Sequence, residues 1–233
     1  MQAVILAGGL GTRLGPLTAQ MPKGMVPVAG KPFLFHLLSL FKSNGIRDIV
    51  LCTGYLGEQV SDYFGSGKEL GLNIRYSKEE GRLLGTAGAL KHAEALLADY
   101  FFVVNGDTYL PLDYNEVEHY YHEQGGSDVM VVYGNDRSTG VPSNVKLEGR
   151  TVSRYAKGTA DPDLAYVDAG VLVLNRDILV TIGAGAACSL EEAVYQPLIR
   201  QGGLIAYITG RRFYDIGTPE QLKTFADYLK GMK

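Results

Sequence analysis

The sequence predicts an α/β protein with a mixed, mostly parallel sheet and helices on both of its faces. Short apolar runs alternate with amphipathic stretches through the first half of the 233-residue chain. A glycine-rich segment follows the first apolar run directly, and Asn105-Gly106-Asp107 follows the fourth. Strand–helix alternation is typical of parallel sheets, whose ligands bind at the carboxyl ends of the strands. The two polar segments are therefore expected to meet at one edge of the sheet.

The first half is predicted to contain four strands and three helices. Asn44-Gly45 is a good stop signal for the first helix, and Thr86 is a candidate N-cap for the third. The strands are expected at residues 3–6, 46–53, 72–76 and 100–104, and the helices at residues 33–41, 58–64 and 86–97.

The second half shows a less regular pattern. Ser189 and Glu192 have the spacing of a capping box, and Thr218-Pro219 has the N-cap and first-turn proline of a closing helix. Strands are expected at residues 129–133, 167–174 and 204–208, a hairpin at 144–147 and 152–155, and helices at 189–200 and 219–229. Residues 135–165 are rich in Gly, Pro, Ser and Asp, which is typical of a mobile lobe or a lid.

Composition and charge exclude several classes of protein. The formal net charge is −3 and no run of Lys or Arg occurs, so nucleic acid is not an expected partner. The first apolar run ends at Gly8-Gly9, too early for a signal peptide or a membrane span. Two isolated cysteines, of which Cys52 lies in an apolar run and is expected to be a buried free thiol, fit a reducing compartment. We therefore expect a cytoplasmic protein.

The segment Leu6-Ala7-Gly8-Gly9-Leu10-Gly11-Thr12-Arg13, with Lys23 after it, indicates a phosphate site. Glycines after a strand let successive N–H groups approach an anion, and the two cations add charged donors. A plain glycine turn is the alternative. The spacing excludes a dinucleotide fingerprint, because Leu14 stands at the third glycine position, and a Walker A loop, because five residues separate Gly24 from Gly30.

Four motifs together resemble the sugar-1-phosphate nucleotidyltransferases. They are the glycine segment with Pro22-Lys23, Leu84-Gly85-Thr86-Ala87-Gly88-Ala89, Asn105-Gly106-Asp107, and Tyr214-Asp215-Ile216-Gly217-Thr218-Pro219. They occur in the order found in that family and extend over residues 4–220. The resemblance implies a Rossmann-like nucleotidyltransferase core with a small sugar-binding sub-region, all within one domain. Residues 1–110 would form the nucleotide-binding half and residues 111–233 the sugar-phosphate-binding half.

Two carboxylates at element ends, Asp107 and Asp215, suggest a metal site. A lone aspartate after a strand is more often a turn or cap residue, but this pair accompanies a phosphate-binding segment. Hard oxygen ligands suit Mg²⁺, which bridges to phosphates. The resemblance implies that Asp107 and Asp215 hold Mg²⁺.

The resemblance also implies roles for individual residues. Arg13, Lys23 and Asp107 would be catalytic, and Glu79 or Glu80 would contact the base. The other implied nucleotide contacts are Leu6, Ala7, Gly8, Gly9, Gly11, Thr12, Gly85, Thr86 and Asn105, and the implied sugar-phosphate contacts are Asn144, Lys157 and Asp168. Lys157 is otherwise interpretable as a solvated loop charge, and Asp168 as a strand-end cap.

Three positions depart from the family pattern. Gly24 stands where many members have a second proline, Ala156 replaces an expected Glu beside Lys157, and Asn144 replaces a glycine near the sugar. These departures affect the choice of sugar and leave the phosphate and metal residues intact.

The implied reaction is the transfer of a nucleoside monophosphate from an NTP to a sugar 1-phosphate, with release of pyrophosphate. The attacking phosphate oxygen is already anionic, so no general base is needed, and none of the four histidines lies in a motif. The segment Gly30-Lys31-Pro32-Phe33-Leu34 resembles one found in the mannose- and heptose-1-phosphate guanylyltransferases, and this resemblance implies GTP with mannose 1-phosphate or D-glycero-D-manno-heptose 1-phosphate.

Two alternatives remain open from the sequence. The chain could transfer a cytidylyl, uridylyl or thymidylyl group to another phosphorylated acceptor, or bind a sugar nucleotide as a non-catalytic regulator. A homodimer is also compatible with the sequence.

Overall fold

The computed structural model describes residues 1–134, 139–159 and 161–231. Its strands are β1 (Gln2–Leu6), β2 (Pro27–Val28), β3 (Lys31–Pro32), β4 (Asp48–Thr53), β5 (Asn73–Lys78), β6 (Tyr100–Asn105), β7 (Thr108–Tyr109), β8 (Asp128–Gly134), β9 (Val145–Glu148), β10 (Thr151–Tyr155), β11 (Tyr166–Asn175), β12 (Leu204–Thr209) and β13 (Tyr214–Asp215). Its α-helices are α1 (Phe33–Ser43), α2 (Gly57–Phe64), α3 (Gly85–His92), α4 (Tyr114–Glu123), α5 (Gln196–Gln201) and α6 (Pro219–Gly231).

In the part of the chain that the structure describes, nine strands form one sheet in the order β5-β4-β1-β6-β11-β8-β12-β10-β9. The four strands of the first half pair in parallel, as the alternation of strands and helices predicts. The second half adds both types of pairing: β11 runs antiparallel to β6 and β8, whereas β12 runs parallel to β8. The predicted halves thus share one continuous sheet.

Strand β1 lies between β4 and β6 and fixes the position of the glycine segment. Leu6 lies opposite Cys52 of β4 on one side and Asn105 of β6 on the other. The three strands therefore end level with one another. The loops that follow β1 and β6 leave the sheet side by side, as the sequence predicts.

Both faces of the sheet are covered. Successive side chains of a strand point in opposite directions, so one strand contributes side chains to the clusters on both faces. In β1, Ala3 and Ile5 pack into a cluster with α1 and α4, while Val4 packs into a second cluster with α3. All three side chains are fully buried. Burial on both faces explains why β1 is a continuous apolar run rather than an alternating one.

Helix α6 brings the end of the chain back to the sheet edge. The ring of Phe225 is fully buried, at 5.2 Å from the centroid of Phe33 and 4.9 Å from that of Tyr109. Immediately before this helix, β13 pairs antiparallel with β7, and Asp215 lies opposite Thr108. The aromatic contacts therefore hold Asp215 beside the loop that contains Asp107.

The predicted hairpin is present, with Glu148 opposite Thr151 in an antiparallel pair. It forms the last two strands of the sheet, so part of the segment predicted as a lobe or lid belongs to the sheet edge. Its mobility stays a prediction, and residues 135–138 and 160 of this segment lie outside the described residues.

The prediction that Thr86 caps α3 is wrong. The helix begins one residue earlier, at Gly85, and the Thr86 hydroxyl accepts a hydrogen bond from the backbone N–H of Leu190 at 2.7 Å. It also ends earlier than predicted, at His92, and a separate 3₁₀ turn covers Glu94–Leu96. The predicted capping box is present in part: the Ser189 hydroxyl accepts from the Glu192 N–H at 3.2 Å, and it donates to Glu192 Oε2 at 3.1 Å. Thr218 likewise caps α6.

Candidate active site

A cleft of about 530 Å³ opens at the carboxyl ends of β1, β4 and β6. This volume lies in the ordinary range for small-molecule sites. Residues from both halves of the chain line it. The sequence-predicted site residues among them are Leu6, Ala7, Gly8, Gly9, Arg13, Lys23, Glu79, Gly85, Thr86, Asn105, Asp107, Asn144, Lys157, Asp168 and Asp215.

The glycine segment presents unpaired backbone donors to this cleft. Among the described residues, the N–H groups of residues 8–11 donate to no backbone carbonyl. Such free amides are the groups that bind a phosphate chain. Gly11 has a φ of +64°, and its carbonyl accepts from the Thr18 hydroxyl at 2.9 Å, which fixes the turn. Gly11 and Thr12, although predicted nucleotide contacts, lie outside the walls of the cleft.

Glu79 is fixed within the cleft. Its Oε1 accepts a hydrogen bond from the backbone N–H of Leu84 at 2.6 Å. Its Oε2 packs so closely on Gly8 that a Cβ at that glycine would come within 2.6 Å of it. Glu80 is exposed and does not line the cleft. Of the two glutamates left open by the sequence, Glu79 is the one placed beside the glycine segment.

Cys52 forms part of the cleft wall as the expected buried free thiol. Burial, followed by the charge of Glu79, raises its pKa to about 12. The thiol is therefore protonated at neutral pH and is a packing group rather than a nucleophile.

Lys23 and Asp107 form an ion pair at the centre of the cleft. The Lys23 Nζ donates to Asp107 Oδ2 at 2.5 Å, and the lysine side chain is only 13% exposed. The Thr108 hydroxyl donates to Asp215 Oδ1 at 2.9 Å and lies 3.4 Å from Asp107 Oδ1. The Thr108 hydroxyl therefore lies between the two carboxylates predicted to bind metal, and Lys23 pairs with one of them, Asp107.

Burial is the main factor that raises the pKa of Asp215 to about 6, and the charge of Asp107 raises it further. The two carboxylates thus sense each other, and a cation between them would relieve their repulsion. No group of three or more His, Cys, Asp or Glu able to hold a metal occurs in the described part of the chain. Mg²⁺ commonly takes one or two protein carboxylates and completes its shell with water and substrate phosphates. The Asp107–Asp215 pair fits that pattern.

Arg13 reaches the same site from the glycine segment. An added Cβ at Gly217 would lie 3.2 Å from the Arg13 Nη2, so the guanidinium packs directly along this glycine. The same Cβ would lie 2.9 Å from Gln221 Oε1, a buried oxygen without a hydrogen-bond partner among the described residues. Gly217 is thus the position that lets Arg13 approach the Asp215 segment.

The opposite end of the cleft holds Lys157 and Glu191. The Lys157 Nζ donates to Glu191 Oε1 and lies 5.7 Å from the centroid of the Tyr155 ring. Arg154, the nearest alternative cation, instead pairs with Asp161 at 2.5 Å and does not line the cleft. Lys157 is therefore the cation that the hairpin contributes to this end.

Asp168 is fixed by three hydrogen bonds. Its Oδ1 accepts from the Gly170 N–H at 2.9 Å, its Oδ2 accepts from the Tyr195 hydroxyl at 3.2 Å, and its own N–H donates to Asn144 Oδ1 at 2.8 Å. It lies within β11, where the pairing with β8 shifts register between Asp168 and Leu172. The side chain therefore lies at a bulge inside the strand rather than at its end. Asn144 is buried and ties this bulge to the start of β9.

Similarity to known proteins shows the family of this chain. A family model described as nucleotidyl transferase matches residues 2–230. The chain belongs to the nucleotidyl transferase family.

Two curated relatives cover nearly the whole chain of this nucleotidyl transferase. A mannose-1-phosphate guanylyltransferase of Mycobacterium tuberculosis is 36% identical over 240 residues, which cover 100% of the chain and 66% of that relative. A D-glycero-alpha-D-manno-heptose 1-phosphate guanylyltransferase of Campylobacter jejuni is 31% identical over 225 residues, which cover 97% of the chain and 98% of the relative. The chain thus spans about two thirds of the first relative's length and nearly all of the second's.

A solved structure agrees with the fold of this nucleotidyl transferase. The crystal structure of HddC from Yersinia pseudotuberculosis complexed with GMP-PN has a TM-score of 0.82 and 29% sequence identity, and the match covers 98% of this chain and 99% of that one. The family and the α/β fold predicted from the four motifs are confirmed.

Motif analysis missed several residues of the nucleotidyl transferase cleft. Glu191 and Tyr195 lie four residues apart in a π-helical turn, and their spacing is the one sequence signal that indicates a shared face. Tyr155, Thr108 and Gln221 also line the cleft. The Tyr155 hydroxyl is buried beside the carboxylate of Asp168, and burial, followed by the charge of Asp168, raises its pKa.

No helix in the described part of the chain is both long enough and apolar enough to span a bilayer.

The contact between Gly85 and Cys188 gives a test of how the cleft wall is built. Gly85 has a φ of +72°, and an added Cβ would lie 2.5 Å from the Cys188 carbonyl oxygen. We expect Gly85→Ala to displace the start of α3 and to raise the KM for NTP about tenfold or more, since a wall that shifts loses contacts with the nucleotide. Steady-state kinetics and thermal melts measure both effects.

Gly81→Ala is the matched control. Gly81 has a φ of +77°, but an added Cβ there meets nothing within 4 Å and the residue does not line the cleft. The only destabilisation expected in this variant is that of an alanine in a left-handed backbone conformation, about 1–2 kcal/mol of folding free energy. Equal KM values for NTP in the two variants would contradict a role for the Gly85 contact in shaping the cleft.

Proposed function

We propose that this chain transfers a guanylyl group from GTP to the phosphate of mannose 1-phosphate or D-glycero-D-manno-heptose 1-phosphate, and releases pyrophosphate. The main support is the convergence of the glycine segment and the Lys23–Asp107–Asp215 set in one cleft. The names of the mycobacterial and Campylobacter relatives support guanylyl transfer and these two acceptors.

The geometry supports a division of the cleft between the two substrates. The free N–H groups of Gly8 and Gly9 and the Arg13 guanidinium would bind the phosphate chain of GTP, and Glu79 would contact the base. A glutamate can accept hydrogen bonds from the N1–H and exocyclic amine of guanine, because a carboxylate has two acceptor oxygens. Lys157, at the other end, would meet the acceptor phosphate.

The reaction is an in-line displacement at the α-phosphorus. An anionic oxygen of the sugar 1-phosphate attacks, the bond to the β-phosphate breaks, and no proton has to be removed. The obstacle is the repulsion between crowded phosphates. Lys23, which is largely buried, and Arg13 would reduce it, because fixed charges act strongly where water is excluded.

Mg²⁺ is the cation that we propose for Asp107 and Asp215. When bound, it would neutralise phosphate charge and orient the α-phosphate. Lys23 neutralises part of the charge of Asp107 through their 2.5 Å ion pair. All four charged groups that the reaction needs are present in the chain, which argues against a non-catalytic regulator.

A substrate matrix tests the proposed function. Each of the four NTPs is combined with a panel of sugar 1-phosphates, and pyrophosphate release is measured. We expect GTP with a manno-configured acceptor to give the highest kcat/KM, by about a hundredfold over the other bases, since a site built to hydrogen-bond a substrate rejects analogues that lack those groups.

Preference for another NTP would contradict the assignment of guanine. Absence of pyrophosphate release with every pair would contradict the reaction itself.

The metal assignment predicts that Asp107→Asn lowers kcat about a hundredfold or more, the usual effect of removing one preorganised electrostatic group. EDTA should abolish the activity of the unaltered enzyme, and excess Mg²⁺ should restore it. Asp62→Asn is the control, because Asp62 is exposed on α2 and does not line the cleft. Full activity of the unaltered enzyme in EDTA would rule out the metal site.

A further inference from the structure

The acceptor end of the cleft contains a carboxylate that no motif singled out. Glu191 lies in the π-helical turn Glu191–Tyr195 and is 29% exposed, so it is partly sheltered but accessible from the cleft. π-Helical turns are rare and often occur at functional sites. Its Oε1 accepts a hydrogen bond from Lys157, and its own backbone N–H and Ser189 also stabilise the carboxylate.

Glu191 is ionised at neutral pH. Burial acts to raise the pKa of this carboxyl, but the hydrogen bond and the charge of Lys157 outweigh it and lower the pKa below its ordinary value. A charged carboxylate at a cleft wall is a strong acceptor for hydroxyl groups.

Asp168, the other carboxylate at this end, has less freedom to bind a ligand. Its two oxygens already accept from the Gly170 N–H and the Tyr195 hydroxyl, and Asn144 holds its backbone. Glu191 projects from a helix, its side chain is 29% exposed, and its ion-pair partner is a flexible lysine that is itself 63% exposed. Of these two carboxylates, Glu191 has the larger capacity to accept new hydrogen bonds.

The arrangement of charge orients an acceptor that carries one phosphate and several hydroxyls. The two carboxylates repel a phosphate, whereas Lys157, Lys23 and Arg13 attract it. The phosphate would therefore turn towards the lysines and the hydroxyls towards Glu191. When the phosphate engages Lys157, it competes for the ammonium that Glu191 holds in the present structure. The Glu191 oxygen released by that exchange is free to accept a hydroxyl.

We propose that Glu191 is the residue that selects the acceptor sugar, by accepting hydrogen bonds from hydroxyl groups of its ring. This inference rests on the proposed function and identifies the group that distinguishes one sugar 1-phosphate from another. It also offers a replacement for the missing glutamate at Ala156, since Glu191 is ion-paired to the adjacent Lys157.

The test compares Glu191→Ala with the unaltered enzyme on the preferred sugar 1-phosphate and on its monodeoxy analogues. For each analogue, the penalty is the ratio of its kcat/KM to that of the parent sugar. Both substrates carry the same phosphate, so the ratio cancels any change in phosphate binding caused by freeing Lys157. This is the logic of a double-mutant cycle.

In the unaltered enzyme, removal of the hydroxyl that Glu191 binds should lower kcat/KM about tenfold to a hundredfold, the value of one charge-assisted hydrogen bond. In Glu191→Ala, removal of the same hydroxyl should lower kcat/KM by less than about threefold, because the carboxylate that binds this hydroxyl is already absent. The KM for GTP should not change. Glu192→Ala is the matched control, since Glu192 is the next residue, is exposed and pairs with Ser189 outside the cleft. It should keep every deoxy penalty of the unaltered enzyme.

Failure of the role of Glu191 and failure of the proposed function give different results. Deoxy penalties that are identical in Glu191→Ala and the unaltered enzyme would overturn the role of Glu191 alone. An unaltered enzyme that uses no sugar 1-phosphate at all would overturn the proposed function and this inference together.

Discussion

The structure depends on the parallel pairing of β1 with β4 on one side and β6 on the other. Because Leu6 lies opposite both Cys52 and Asn105, the loops that follow these strands begin at the same level. The segment after β6 packs closely against the end of β1, since an added Cβ at Gly106 would lie 2.7 Å from the Leu6 carbonyl oxygen. A one-residue slip in either ladder would turn every side chain of β1 to the other face and separate the two loops. The register of one five-residue strand thus places the amides that we propose for phosphate binding beside the carboxylate of Asp107.

A second constraint closes the site from the far end of the chain. Phe225 anchors α6 in the aromatic core, and the short β7–β13 pair places Asp215 opposite Thr108. The hairpin and β11 then supply Lys157 and Asp168 from the other half of the same sheet. Anionic groups thus occupy two parts of the cleft with different roles. Asp107 and Asp215 are the carboxylates that we propose for the cation, whereas Asp168 and Glu191 line the region proposed for hydroxyl groups. Lys23 and Lys157 each neutralise one of these carboxylates in the present structure.

Much of this organisation could be predicted from the sequence, for physical reasons. Buried parallel strands appear as apolar runs, and their carboxyl ends are marked by Gly8-Gly9 and by Asn105-Gly106-Asp107, so the position of the site followed from local patterns. The antiparallel insertion of β11 between β6 and β8 could not be predicted, because strand order depends on long-range pairing. Thr86 was misassigned as a cap, because its hydrogen-bond partner, Leu190, lies 104 residues away. Glu191 gave no motif signal for the same reason: its position in the cleft arises from the packing of a π-helical turn against the hairpin.

The reaction that we propose is a single direct displacement at the α-phosphorus. It depends on positioning and charge neutralisation, and it forms no covalent enzyme intermediate. The most direct test is the stereochemical course with GTP made chiral by one sulfur at its α-phosphorus. One in-line displacement inverts the configuration, whereas two successive displacements through an enzyme-bound nucleotide restore it. The account predicts a nucleotide-sugar product of inverted configuration at that phosphorus. Retention would contradict it, and would require a nucleophilic side chain that none of the assigned roles provides.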